Sequence, residues 1–589
     1  MRKRFSLMLV IMLMLVTVLA ACSGGSTAEE PATGETPAET TEPAETTEEP
    51  AEEPAAEDAT QNDGLFEATD MSANPGTATS RTDTLIVGIT SPAGIFNPIF
   101  ASTTYDIWVN DLIFESFQGI NADGTYSPRL AESIEVSEDG LQYTFKLKPD
   151  LKYTNGSPVT VNDYYLALKM YHDSSYDGQS DPLSWKIKGG QEYYDGTADE
   201  ISGVTIVDDH TVEVEVTEAT ALTQVYLAGV PFIPSDYYGE PYTQGNLDGV
   251  KALNDKPIGS GQYVMKSFAP GQEVVFEANP DYHLGAPKIK NVIYKTTTDE
   301  TRLAMLESGE IDMDMLTVDE DNVEMAQLLG FLDLNIFPTN GYGYIGMNHT
   351  SPKFSDVKVR QALVYGLNRA EIVEAVYGKF ADVINIPQSK QSWAYTEEGI
   401  EAYAFDTEKA KSLLDEAGWT VGSDGIREKD GEKFTIDFSA TADNVVVDAL
   451  LPILTANYEE LGIEVVAEVL DFNAITEKAQ AGNFEMFFMA WGLTPDPDTT
   501  VYTTDGAQNR LGYSHPAYDE LAAQGKAELD LEKRKEIYAK AYQELNATIP
   551  DILMYQRRDG WAINGRINGL EITPYKDFTI DLYKAEIGE

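Results

Sequence analysis

The sequence predicts an α/β protein, and three patterns carry that expectation. Leu141, Tyr143, Phe145 and Leu147 alternate with polar residues, as do Val212, Val214 and Val216, which marks half-buried strands and a β-rich region. Ala410, Leu413, Leu414 and Ala417 recur at helical spacing, between Asp406 placed to cap a helix start and Gly418 placed to end it. From about 341 to 555 such helices alternate with apolar strands, so this stretch is expected to form an α/β lobe with a partly parallel sheet.

The elements follow in chain order. Arg2, Lys3 and Arg4 precede an apolar run from Leu7 to Val18 that is too short to span a bilayer, and Leu19-Ala20-Ala21-Cys22 closes it. This reads as an export signal over residues 1–21. Cys22 is the only cysteine, so the fold is expected to hold without disulfides. Residues 22–82 are rich in Ser, Thr, Ala, Pro and Glu, with no basic residue before Arg81, and are expected to form a disordered acidic tether. A flexible chain of that length spans roughly 40 to 50 Å. Beyond it, a helix is expected from Asp356 with Val359, Leu363 and Leu367, and another from Asp530 with Ile537, Ala541 and Leu545. Ile463 to Val469 and Met486 to Trp491 read as buried strands.

One loop carries a positional expectation. The strand ending at Trp491 runs into Gly492-Leu493-Thr494-Pro495-Asp496-Pro497-Asp498, which cannot continue it. In open α/β sheets ligands sit beyond the carboxyl ends of strands. Trp491 offers stacking area, and Asp496 or Asp498 offers hydrogen-bond acceptors. From spacing alone, a ligand edge and a plain turn with a core tryptophan stand level.

Charge and motif content narrow the function. With 41 basic against 98 acidic residues the net charge is −57, which argues against nucleic acid and anionic lipid as partners. His172, His210, His283, His349 and His515 stand far apart, without HExxH or EF-hand spacing, so no metal or other cofactor is expected. There is no GxSxG or P-loop, and Gly259-Ser260-Gly261 reads as a turn. No catalytic residues are assigned, and a non-enzyme is expected.

Several segments resemble, in order, the family 5 extracellular solute-binding proteins, the peptide-binding lipoproteins of ABC importers. They are Ser127 to Ser133, Asp139 to Leu147, Asn155 to Thr160, Pro257 to Tyr263, Asn279 to His283, Gly309 to Asp312, Phe354 to Leu363 and the Trp491 to Asp498 loop. Leu19 to Cys22 likewise resembles a lipobox, in which the cysteine is lipidated. Lipid chains gain about 0.8 kcal/mol per buried CH₂, enough for two or more to anchor a protein.

The resemblance implies a two-lobed periplasmic-binding-protein-like clamp, with hinge-crossing strands and an extra β-rich inserted domain. Lobe 1 would comprise 83–116, 257–340 and 556–589, the insertion 117–256, and lobe 2 341–555. It implies a monomer on the extracellular face of the bacterial cytoplasmic membrane, held only by its lipid, that passes oligopeptides to an ABC permease. Tyr344 and Gly346 lie in Tyr342-Gly343-Tyr344-Ile345-Gly346-Met347-Asn348, which resembles the crossing strand whose backbone pairs with an extended ligand. Phe96, Tyr105, Trp393, Trp491 and Tyr555 are the other aromatic candidates, with Gly492, Leu493, Thr494 and Asp496 along the loop; each aromatic is equally readable as core.

Two departures bear on the ligand. Peptide binders of the family place an aspartate for the peptide amine three residues after the tryptophan, where this chain has Thr494; Asp496 is the candidate replacement. The arginine that clamps carboxylates in dipeptide binders is replaced by the Asp448-Ala449 neighbourhood, which disfavours strict dipeptide specificity. Another solute (a nickel chelate or an oligosaccharide) and a peptide-sensing receptor are the alternatives, with a surface hydrolase last.

Overall fold

The computed structural model describes residues 63–442 and 444–588. The export segment, Cys22 and the acidic stretch up to residue 62 lie outside the described residues. Within them, no helix is long and apolar enough to cross a membrane.

Thirteen strands form one mixed sheet, and a single 14-residue strand, Asp551–Asn564, organises it. Its first half pairs with Gly341–Met347, and its second half with Leu332–Pro338 and Met313–Leu316. Outward from Gly341–Met347 the order continues through Met486–Gly492 and Thr435–Thr441 to Glu464–Leu470. In the other direction it passes from Met313–Leu316 through Thr84–Ile89 to Asn291–Thr296 and the antiparallel hairpin Glu273–Ala278 with Tyr263–Ala269. Thr435–Thr441 runs parallel to both neighbours while Gly341–Met347 runs antiparallel to both of its own, so the sheet is partly parallel as expected.

The apolar cores divide along the same line. Residues between 342 and 555 build one pair of cores, and residues 85–337 with 561–585 build the others, into which Phe380 also packs. Two connections pass between these bodies: Thr339-Asn340, between Leu332–Pro338 and Gly341–Met347, and the middle of Asp551–Asn564. There Thr339 N–H donates to Arg557 O at 2.9 Å and Gln556 Nε2 donates to Thr339 O at 2.7 Å, so the crossings are bonded to each other.

The β-rich region is a four-stranded antiparallel sheet in the order Ala131–Val136, Gln142–Leu147, Thr211–Glu215, Val204–Asp208. Tyr143, Phe145, Leu147, Val212 and Val214 turn inward and are buried, as their alternation requires. Phe145 stacks on Phe117 at 4.8 Å, and this face belongs to the same apolar cluster as Leu85 and Val87 of the large sheet. The insertion therefore shares its core with the first body.

Local capping explains the helices. Asp406 accepts from Lys409 N–H at 2.9 Å, Asp356 from Lys358 N–H at 2.9 Å and Asp530 from Lys533 N–H at 3.0 Å. Each opens the helix expected behind it: Thr407–Glu416, Val357–Tyr365 and Leu531–Thr548. Gly418 has φ +86°, which only a residue free of a Cβ takes readily, and ends the first.

Two expectations are corrected. Residues 64–82, assigned from composition to the tether, belong to the folded body: Gly64–Phe66 pairs antiparallel with residues 334–336, and Ala68 N–H donates to Asp333 at 2.7 Å. Three backbone pairings and the partial burial of Phe66 outweigh the polar composition around them. Glu464–Leu470 is a strand at the expected place but is not buried; it forms one end of the sheet, and Val466 and Val469 are half exposed.

Candidate ligand-binding site

Strand Met486–Gly492 is hydrogen-bonded along its whole length to Gly341–Met347, from Met347↔Met486 to Gly341↔Gly492. Its other neighbour, Thr435–Thr441, reaches only Met486 and Phe487. Beyond Phe487 the strand therefore has one unpaired edge, and there burial gives way: Ala490 and Gly492 are exposed and Trp491 is half-buried. An unpaired backbone edge beside an aromatic ring is a template for an extended chain.

The same register corrects the role expected for Tyr344 and Gly346. Gly341–Met347 is a central strand, paired on one side with Met486–Gly492 and on the other, through Gly343 to Gly346, with Asp551–Tyr555. Its backbone groups are already used, so the free edge belongs to Ala490-Trp491-Gly492 instead. Tyr344 remains adjacent: its ring lies 5.8 Å from Phe487 on the face that also holds Met489 and Trp491.

The other candidates scatter. Phe96 is fully buried in the first body, edge-on to Phe268 at 4.9 Å, and is core rather than ligand surface. Tyr105, half-buried, packs edge-on to Trp108 at 5.5 Å in the same body. Tyr555 lies on the opposite sheet face from Trp491, against Tyr377 at 5.0 Å and close over Gly343, where a Cβ would approach its ring to 2.4 Å. Tyr377 also lines a cavity of about 860 Å³ between Asp319 to Asp321 and residues 370–383, which none of the predicted site residues borders. Trp393 sits beside the loop, 5.9 Å from Tyr538 and beneath the Arg534 guanidinium at 4.9 Å.

Across from the loop stands the β-rich insertion. Ala221 N–H donates to Lys526 O at 2.9 Å, and a Cβ on Gly124 would lie 3.4 Å from Pro495. Tyr126 and Tyr226, both partly exposed, have their phenols held above the usual range, first by partial desolvation and then by the Asp496 carboxylate. Loop 491–498 thus faces a second wall.

Comparison with known proteins agrees with this geometry. Residues 125–512 match the bacterial extracellular solute-binding proteins, family 5 middle region. The chain belongs to that family. It is 25% identical over 511 residues to the oligopeptide-binding protein AppA of Bacillus subtilis, covering 85% of this chain and 90% of that one. It is 27% identical to the dipeptide-binding protein of Escherichia coli, covering 82% of this chain and 91% of the relative, and 27% identical to heme-binding protein A of Haemophilus influenzae, covering 76% and 82%. The solved structure of Bacillus subtilis AppA with a nonapeptide superposes with a TM-score of 0.64 at 24% identity, over 86% of this chain and 99% of that one. The fold is accordingly that of the two-lobed periplasmic binding proteins.

In this family 5 protein the loop's acidic residues are already engaged. Asp496 takes both terminal nitrogens of Arg534 at 2.7 Å, a bidentate pair between side chains only 17% and 6% exposed. Thr494 Oγ1 donates to Asp496 O at 2.6 Å, and Asp498 accepts from Thr500 N–H and Oγ1 and from Gln508 Nε2. The carboxylate suggested as an amine anchor is thus a brace that holds the turn against Leu531–Thr548. Asp496→Ala is expected to lower stability by about 2 kcal/mol through two lost charge-assisted hydrogen bonds. Thermal unfolding of the variant checks this; an unchanged midpoint with weakened peptide binding would restore the anchor role.

The sequence reading missed three groups here. Arg534, 38 positions from Asp496, gives no local signal of its partner. Arg510 lies over Trp491 with its guanidinium carbon 5.9 Å from the ring centroid. Behind the Tyr344 face, Tyr342, Tyr502 and Asp551 form a buried chain of hydroxyls ending on a carboxyl, with links of 3.0 and 2.9 Å. Among the described residues no cluster of three or more metal-ligating side chains occurs. His172 and His349 bond backbone carbonyls, His283 and His515 bond Glu115 and Glu544, and His210 is exposed.

Proposed function

We propose that this chain is the capture component of an ABC importer for oligopeptides. The unpaired edge of Ala490-Trp491-Gly492 carries the reading. A peptide laid there in extended form would complete the strand's hydrogen bonds, gaining affinity from its main chain rather than from any one side chain. Trp491 would stack on it from the same body, and Tyr126 and Tyr226 of residues 117–256 would close over it. The Bacillus subtilis relative named for oligopeptides, solved with a nonapeptide, supports a ligand longer than two residues.

The lobes divide, in this reading, at Thr339-Asn340 and near Gln556, giving 64–116 with 257–340 and 556–589 as lobe 1, 117–256 as its insertion and 341–555 as lobe 2. Bending at those two crossings opens and closes the gap. The closed form, a monomer held on the extracellular face of the cytoplasmic membrane by lipid on Cys22 and tethered by the acidic stretch, presents the peptide to a permease and releases it unaltered. Micromolar capture needs about −8 kcal/mol, within reach of main-chain bonds along the peptide plus a few stacked aromatics.

Calorimetric titration with defined peptide pools, paired with small-angle scattering, tests this. Saturable binding with a smaller radius of gyration is expected. Failure of every pool to bind, or hydrolysis of the bound peptide, would overturn the proposal.

A further inference from the structure

In a chain with 98 acidic residues, an arginine whose guanidinium meets neither a carboxylate nor a carbonyl is unusual, and among the described residues Arg510 is one. Every other described arginine bonds a carboxylate or a backbone carbonyl: Arg534 bonds Asp496, Arg558 bonds Asp382, and Arg360 and Arg369 fan onto carbonyls. The Arg510 guanidinium has no hydrogen bond or ion pair among the described residues; its contact is the face of Trp491. It is neither buried nor fully exposed. The carboxylates nearest in the loop, Asp496 and Asp498, spend their oxygens on Arg534, Thr500 and Gln508.

Its position is fixed by backbone rather than by the side chain. Leu511 O accepts from His349 N–H at 2.8 Å, and Leu511 packs against Gly346, where a Cβ would meet it at 2.9 Å. Residues 510–511 therefore run beside the crossing strand Gly341–Met347, and the Arg510 charge is felt by the Tyr344 phenol. This places a free five-donor fork at the ring that flanks the unpaired edge of Ala490 to Gly492.

We propose that Arg510 is a specificity-determining residue of the cleft, holding a carboxylate of the bound peptide over the face of Trp491. The inference rests on the peptide reading above and adds the sign of the ligand group. A planar guanidinium stacked on an indole keeps its edge donors free for bidentate contact with a carboxylate. With the loop's own acids engaged, the Trp491 wall presents a cation where an amine anchor would present an anion. The carboxylate comes from a peptide C-terminus or from an aspartate or glutamate side chain.

Calorimetry on the full chain separates these sources. Four matched tetrapeptide probes are used: a neutral-side-chain peptide as free acid and as C-terminal amide, and amides carrying one glutamate or one glutamine. Wild type is expected to prefer the free acid over the amide if the C-terminus is held, or the glutamate amide over the glutamine amide if a side chain is held, by about tenfold or more. Arg510→Gln should erase that preference while leaving the affinity for the neutral C-terminal amide and the unfolding midpoint in place, and Arg510→Lys should keep part of it. Binding with no acid preference in wild type, or a preference that survives in Arg510→Gln, overturns this assignment alone. Absence of binding to all four overturns both it and the peptide reading.

Discussion

Asp312→Ala is expected to destabilise the first body by about 4 kcal/mol. Asp312 closes the family-like segment Gly309 to Asp312 and is completely buried. One of its oxygens receives Arg81 Nη2 at 2.7 Å and Arg566 Nη2 at 3.0 Å; the other receives Ile86 N–H at 2.8 Å. Alanine would leave a guanidinium only 3% exposed and a strand amide without their acceptor, and removing one partner of a buried charged network costs about 3–5 kcal/mol. Asp312→Asn keeps an acceptor oxygen and should cost less. The donors come from two distant parts of the chain, Arg81 and Ile86 near its start and Arg566 near its end, so a single carboxylate ties the start of strand Thr84–Ile89 to the C-terminal region. Denaturant unfolding with hydrogen exchange at Ile86 measures the loss. A variant with unchanged midpoint and unchanged Ile86 protection would mean that the arginines find other acceptors.

That network also shows where sequence reading stops. The caps at Asp356, Asp406 and Asp530 were legible because donor and acceptor lie within three residues, and the inward faces at Tyr143, Phe145 and Val212 because alternation is itself the signal. Strand Asp551–Asn564 was not legible whole: Gln556-Arg557-Arg558-Asp559 reads as a polar break, yet Arg558 is buried and pairs with Asp382 at 2.7 Å, so pairing on both sides overrides local polarity. Residues 64–82 failed for the converse reason, since composition is a property of the chain and pairing with residues 334–336 is a property of the fold. In the candidate site, Trp491 and its turn were visible from the strand's end. The sign of the neighbouring charge was not, because it depends on Arg534 claiming Asp496 and on no residue claiming Arg510.

Asp551→Asn is expected to gain stability relative to wild type as pH rises from about 4 to 7. Burial pushes the Asp551 carboxyl up to about 7, partly offset by the Tyr502 hydroxyl, which donates to it at 2.9 Å. An unfolded aspartate releases its proton near 4, so between the two values the native state holds a proton that the unfolded state has lost, and folding is penalised progressively as pH rises. A difference of about 3 pH units corresponds to about 4 kcal/mol, present in full below pH 4 and lost above 7. His349, pushed down to about 4 by burial, contributes the opposite slope over much of that window, because its unfolded imidazole keeps a proton that the folded one has lost; it does so in both proteins and cancels in their difference, while Tyr342 and Tyr502 have phenols raised well above their usual value by burial and stay neutral. Asparagine carries no charge to desolvate and still accepts from Tyr502, so the variant should match or trail wild type at pH 4 and exceed it at pH 8. Asp314, pushed up to about 6 by burial in the other body, tilts both proteins alike and cancels in the difference. Urea midpoints measured at half-unit steps give that difference directly. It should climb between pH 4 and 7 and then level; parallel curves for the two proteins would show that Asp551 stays ionised in its buried place opposite Gly346.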